Sequence, residues 1–308
     1  MKISIIGAGN VGGMTALQLA QNRINKIILI DKLLGLAEGK AFDLEDVKAL
    51  LKLDYDIEGT DDFESIRDSA IIIITAGFPR QPGMTREELL NKNATIVKEI
   101  ALNIKKFAPE SIVIVVTNPL DVMTYLVLKI TGFNPKRILG MGIGLDTARF
   151  INLISKKLNV SVLDIEACVI GNHGEAMLPL SRFTNIKGIP LEEFLEEKDI
   201  EELVKKTVER GKEIVQRLGT GSAYFAPSLA ITSLVKAIVK DEKRILGVSA
   251  YLDGQYGLKD ICIGVPCRIG KEGIEEIIQL ELNRKERESF LKSAESIRTQ
   301  IKSLDINV

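Results

Sequence analysis

A chain of 308 residues is long enough for two domains or one large one, and it can bury well over half of the surface its unfolded form exposes. Forty-one Lys and Arg against forty-two Asp and Glu leave a formal charge of −1, which excludes the basic field of a dedicated nucleic-acid binder and an acidic solvating tail alike. With 45% hydrophobic and 27% charged residues the chain is globular rather than disordered.

The opening Met1-Lys2-Ile3-Ser4-Ile5-Ile6-Gly7 reads as a strand ending in glycine, too short for a signal-peptide core. Residues 3–6, 27–30, 70–75 and 112–117 are β-branched runs of the kind found in strands buried on both faces. Gly13, Ala16, Leu17 and Ala20 repeat at helical spacing between the first two runs. Residues 86–107 carry a second helical stripe at Leu90, Ile96, Val97, Ile100, Ala101 and Ile104. Strand, helix and strand in succession predict right-handed crossovers and a doubly wound, mostly parallel sheet, with residues 137–140 closing it as a sixth strand. The pattern then changes. Helices are predicted over 146–158, 201–218, 227–239 and 284–303, with strand segments over 162–171, 243–252 and 260–269 and turn residues Asp253-Gly254. This predicts an α/β, Rossmann-type first domain over 1–142 and an α+β second domain over 143–308. The longest apolar runs are of strand length, well short of the ~20 residues of a membrane span. Cys168, Cys262 and Cys267 are an odd, scattered set, which favours free thiols and a reducing, cytoplasmic compartment.

Gly7-Ala8-Gly9-Asn10-Val11-Gly12 fits G-x-G-x-x-G between a strand and a helix. The first glycine permits a tight turn, the second lets a pyrophosphate approach the backbone, and the third lets helix and strand pack. The helix N-terminus then offers free N–H groups to phosphates. Asp31 ends the next strand, nineteen residues past Gly12, where a ribose diol would be held and a 2′-phosphate repelled. The competing reading is a structural turn with a helix-capping aspartate.

His173, in Gly171-Asn172-His173-Gly174, is the chain's single histidine. It is the side chain whose unperturbed pKa lies near neutrality, as a proton shuttle requires, although a lone histidine is often structural. Asp146-Thr147-Ala148-Arg149 starts a helix, where an N-cap aspartate paired to arginine is the plain alternative. Arg80 and Arg86 flank Gln81-Pro82-Gly83-Met84-Thr85 in a connection leaving the C-terminal end of a strand. Thr117-Asn118-Pro119 leaves another strand at the same edge, where parallel sheets bind ligands. Surface arginines are otherwise solvated charge, and Asn-Pro is otherwise an ordinary turn.

With all these motifs in order, the chain resembles the lactate/malate dehydrogenase family, and within it the lactate-dehydrogenase-like malate dehydrogenases, from Lys2 to the C-terminal helix. The resemblance implies an NAD site at Gly7, Gly9, Asn10, Val11, Gly12, Asp31, Asn93, Thr117 and Asn118. It makes His173 the proton acceptor, Asp146 its partner, and Arg149 the clamp for the substrate C1 carboxylate. Asn118 would contact substrate as well as nicotinamide, and its bond to Pro119 is expected to be cis. Arg86 would polarise the reacting carbonyl from a mobile loop. Arg80 would take a second carboxylate, and Ser222 matches a pocket position. The implied activity is reversible hydride transfer between malate or oxaloacetate and NAD(H), in a homodimer or homotetramer, with no metal, nucleic acid or membrane.

The chemistry of the residues agrees. A 2-hydroxy acid needs a base for its hydroxyl proton, and planar arginine grips a carboxylate through two parallel hydrogen bonds. The alternatives are a lactate or other 2-hydroxy-acid dehydrogenase, an NAD-dependent glycosidase with Cys168 near His173 as metal ligands, and a non-catalytic NAD-binding sensor.

Overall fold

Runs of isoleucine and valine gain most when both faces are covered, and the first half of the chain lays them side by side as parallel strands. The computed structural model describes residues 1–78 and 85–304. Its first half runs β1 (Lys2–Ile6), α1 (Asn10–Gln21), β2 (Lys26–Ile30), α2 (Leu34–Leu51), β3 (Asp56–Thr60), β4 (Ile71–Ile74), α3 (Arg86–Phe107), β5 (Ile112–Val115), α4 (Leu120–Thr131) and β6 (Ile138–Gly140). The six strands are parallel in the order β3-β2-β1-β4-β5-β6, with Ile5 opposite both Leu29 and Ile73. This is the doubly wound Rossmann order, and its direction switches between β1 and β4. The turns after these two strands therefore open on the crevice where such sheets bind ligands.

The second half runs α5 (Ile143–Leu158), β7 (Ile165–Gly171), β8 (Met177–Ile186), β9 (Ile189–Pro190), α6 (Glu197–Leu218), α7 (Phe225–Val239), β10 (Arg244–Asp253), β11 (Lys259–Gly270), β12 (Gly273–Ile277) and α8 (Arg284–Lys302). Its strands pair antiparallel as β10-β11-β7-β8-β9, with β12 on β11. β10 joins β6 where Ser249 lies opposite Gly140, so the two halves share one continuous sheet. One apolar core runs through the parallel sheet into β10 and β11. A smaller one gathers Phe150 and Ile154 of α5, Val169 of β7 and Leu203 of α6.

Several expectations shift. α5 begins at Ile143 with Gly142 as its N-cap, so Asp146 lies buried inside the first turn and caps nothing; its expected ion pair with Arg149 is present. Residues 162–164 form a 3₁₀ turn capped by Ser161 rather than strand. α6 starts four residues earlier than its apolar pattern, on an acidic first turn that suits the helix dipole. The three cysteines are free.

Candidate active site

The glycine turn after β1 is built on two different needs. Gly7 has φ +110°, and a Cβ there would lie 2.5 Å from the backbone N of Ala76. A Cβ on Gly12 would collide with the carbonyl of Gly7, so α1 approaches β1 this closely only through glycine. Gly9 is different: a Cβ there would meet nothing within 4 Å. The space in front of Gly9 adjoins the first turn of α1, which has no acidic residue and no side-chain cap. The N–H groups of Asn10, Val11 and Gly12 are those a helix leaves without internal partners. Asp31 follows β2, and its carboxylate accepts from the N–H of Ala8 (2.9 Å) and of Leu33 (3.1 Å). Each carboxylate oxygen retains capacity for a further donor, so two ribose hydroxyls can still be held. The donor set and the open cradle fit a dinucleotide.

Two further loops reach the same edge. Thr117 donates from Oγ1 to the carbonyl of Ala76 (2.6 Å), which ties the turn after β5 to the turn after β4. The Asn118-Pro119 bond is cis, as expected, and the side chain of Asn118 is exposed. Asn93 on α3 is 1% exposed. Its amide accepts from the N–H of Phe78 (2.7 Å) and donates to the carbonyl of Asn118 (2.7 Å). Asn93, expected at the cofactor, thus braces both of these loops from behind.

The histidine cluster forms where α5, β7 and α4 converge. Asp146 is 0% exposed, and its two oxygens serve two partners, Nδ1 of His173 at 2.6 Å and Nη1 of Arg149 at 2.9 Å. The i, i+3 spacing on α5 makes the second contact and the turn after β7 makes the first. Removing one partner from such a buried carboxylate typically costs about 3–5 kcal/mol. His173 and Arg149 keep 16% and 14% of their side chains exposed, so both open on the cleft. Burial alone would lower the imidazole pKa, but the charge and hydrogen bond of Asp146 outweigh it and hold His173 above its ordinary 6.5. Arg149 gives one N–H to Asp146, and a guanidinium has five.

The backbone of His173 is fixed as firmly as its ring. The N–H of Asn172 donates to Oγ of Ser293 on α8 (2.7 Å), and the N–H of His173 donates to Oδ2 of Asp121 on α4 (2.8 Å). Asp121 in turn accepts from Oγ of Ser249 on β10 (2.6 Å). A Cβ on Gly142 would lie 2.9 Å from Cβ and 3.0 Å from Cγ of His173, so the histidine packs directly on that glycine. Sequence reasoning missed Asp121, Ser249 and Ser293. The signal for Asp121 was an acid opening a helix whose next residues are mostly apolar.

Arg80 lies outside the described residues, as does the side chain of Arg86. Arg86 opens α3 behind a capping box, in which Thr85 accepts from the N–H of Glu88 and Glu88 from that of Thr85. Ser222 is exposed in the α6–α7 connection. The metal-dependent alternative finds no support: among the described residues no group of three His, Cys, Asp or Glu could hold an ion, and burial pushes the Cys168 thiol up to about 11.

Residues 1–140 match the model of the lactate/malate dehydrogenase NAD-binding domain, and residues 144–305 that of the lactate/malate dehydrogenase alpha/beta C-terminal domain. The chain belongs to the lactate/malate dehydrogenase family. It is 48% identical to a malate dehydrogenase of Methanosarcina mazei over 306 residues, covering 99% of this chain and 100% of that one. Its backbone is similar to the crystal structure of Cryptosporidium parvum malate dehydrogenase, with TM-score 0.96, 41% identity and 98% of each chain covered. A lactate dehydrogenase of the same organism, solved with lactic acid and nicotinamide adenine dinucleotide, has TM-score 0.96 and 36% identity over 100% of this chain and 98% of that one.

Proposed function

We propose that His173, Asp146 and Arg149, with Asn118 and the two loop arginines, are the working groups of an NAD-dependent malate dehydrogenase. The activity follows from malate dehydrogenases 42–49% identical over almost the whole chain. The observation that carries the residue roles is the buried Asp146 carboxylate shared between an imidazole and a guanidinium.

NAD, held by the glycine turn after β1 and by Asp31, would supply the hydride acceptor and donor for C2 of the substrate. The chain's own groups do the rest. Arg149 holds the C1 carboxylate with the N–H groups not given to Asp146, which fixes the substrate's orientation as well as its affinity. With Nδ1 engaged by Asp146, Nε2 of His173 is the nitrogen left to accept the hydroxyl proton. Asp146 fixes this tautomer and stabilises the imidazolium that forms, without itself taking the proton. Arg86 stabilises charge on the substrate oxygen, and Arg80 pairs the second carboxylate. Asp31 accepts from the adenosine ribose hydroxyls. Ser222 lines the substrate pocket. Residues 1–142 carry the cofactor and 143–308 most of the substrate site.

The chain acts in the cytoplasm as a homodimer or homotetramer. Leu34, Leu36, Phe42 and Leu50 stand exposed on α2, which supports assembly, and among the described residues no helix is long and apolar enough to cross a membrane. A lactate-type reading rests on the equal TM-scores of malate and lactate dehydrogenases, 0.96 for both. NADH oxidation with oxaloacetate beside pyruvate decides between them. Oxaloacetate should win by about three orders of magnitude in kcat/KM, since a buried unpaired charge costs several kcal/mol, and Arg80→Gln should erase most of that margin. Equal efficiencies in the wild type would overturn the assignment of Arg80.

A further inference from the structure

Among the described residues, Asp121 is the buried carboxylate beside His173 that the mechanism above leaves without a role. It is 4% exposed at the start of α4, a helix in which ten of twelve residues are buried. Each carboxylate oxygen has a single protein donor, the backbone N–H of His173 on Oδ2 and the hydroxyl of Ser249 on Oδ1. α4 follows directly from the cis Asn118-Pro119 turn, and Ser249 sits where β10 meets β6. One carboxylate thus joins the Asn118 loop, the histidine loop and the seam between the two halves of the sheet.

We propose that Asp121 is a positioning residue for the acid–base histidine, holding the backbone of His173 in register with Asp146 while its negative charge favours the imidazolium. This rests on His173 being the proton acceptor. A peg alone would not need the charge, because a neutral amide could accept the same N–H and turn its NH₂ to Ser249. The charges facing one another across the cluster are Asp121 from α4, Asp146 and Arg149 from α5, and His173 from the β7 turn; Cys262 on β11 is a buried thiol held in its neutral form. Asp121, Asp146 and Arg149 together carry −1, so the cluster is neutral with His173 protonated and −1 without. Deleting Asp121 would make the imidazole form neutral and the imidazolium form +1. Burial pushes the Asp121 carboxyl up to about 6, against the bonds from Ser249 and His173 that hold it down, so it is mostly ionised at neutral pH. The charge of each group acts on the other, and the two sites respond as a pair.

The single histidine makes the test direct. In untagged protein without cofactor, labelled at the histidine Cε1, one NMR signal reports His173, and its absence in His173→Ala verifies the assignment. Asp121→Asn should lower the His173 pKa by about half a unit or more. The rising limb of malate oxidation should move to lower pH by the same amount, and oxaloacetate reduction at neutral pH should fall several-fold through kcat with KM little changed. Ser249→Ala removes a bond that favours the Asp121 carboxylate, which raises the Asp121 pKa towards that of His173 and should give a smaller shift of the same sign. An Asp121→Asn protein with wild-type melting temperature and a His173 pKa within about a tenth of a unit of wild type overturns the proposal. If Asp121→Asn does not fold, an unmoved His173 titration in Ser249→Ala overturns it instead. Should His173→Ala keep most of its turnover, the base assignment fails, while the NMR titrations still report the Asp121 charge on its own.

Discussion

Gly142→Ala adds one methyl group and no charge, at a position away from the cofactor turn. The added carbon would lie 2.9 Å from Cβ and 3.0 Å from Cγ of His173, and it would collide with the side chain of Leu120. Carbon atoms rest about 3.5–4.0 Å apart, so the imidazole must retreat by about half an ångström or more, or α5 must tilt. The hydrogen bond at stake is the 2.6 Å contact between Nδ1 of His173 and Asp146. Misplacing a catalytic group by about 1 Å can cost 100-fold, so kcat for oxaloacetate reduction should fall roughly 10- to 100-fold. The Leu120 collision is a packing matter and should lower stability by about 1–3 kcal/mol. Adding Leu120→Ala separates the two effects, because it relieves the leucine collision and leaves the histidine one. Measured against Leu120→Ala alone, which itself leaves a cavity in the core, the double variant should lose little further melting temperature while its kcat stays low. A Gly142→Ala protein with wild-type kcat would show that His173 does not depend on this contact.

Two other outcomes follow from the charges at the site. His173 must be neutral to take a proton from malate, so kcat/KM for oxidation should rise with pH through an apparent pKa above the ordinary 6.5, while that for oxaloacetate reduction falls over the same range; a midpoint below 6.5 would mean that Asp146 does not support the imidazolium in the free enzyme. Asp31→Ser should raise the KM for NADH roughly 10- to 100-fold, the usual scale of a hydrogen bond to a charged group, and narrow the gap to NADPH; unchanged preference, measured as the ratio of kcat/KM values, would remove Asp31 from the ribose.

The parts of this fold legible in the sequence are those with a strong local period. β1, β2, β4 and β5 read as apolar, mostly β-branched runs because both faces are covered, and α3 announces itself through a clean stripe. α4 is harder to read because ten of its twelve residues are buried, which leaves little polar face to mark a stripe. β3 at the sheet edge buries a single residue, so its alternation is lost. At the site, Asp146, Arg149 and His173 could be named from their segments. What no spacing encodes is that the N–H of His173 would find Asp121, fifty-two residues earlier, or that Gly142 would serve as the floor under the imidazole. Such contacts are properties of the assembled sheet. Asn93 is a similar case: no spacing encodes that its amide would join the backbone of Phe78 to that of Asn118.

The equal backbone likeness to a malate and a lactate dehydrogenase separates the two tasks of the site. Lactate and malate present the same C1 carboxylate and the same C2 hydroxyl, so the groups that meet those atoms need not differ between them. The groups proposed to meet those atoms are held by regular elements, Asp146 and Arg149 by α5 and the His173 turn by hydrogen bonds to α4 and α8. Choosing between a methyl group and a carboxylate needs only a charge that can be paired or left unpaired. Arg80 belongs to the connection between β4 and α3. If selection is separable in this way, Arg80→Gln should alter the ratio of oxaloacetate to pyruvate while leaving the pH midpoint set by His173 and Asp146 unmoved. A midpoint that shifts along with the ratio would show that the loop arginine also tunes the proton transfer, and that the two tasks are coupled.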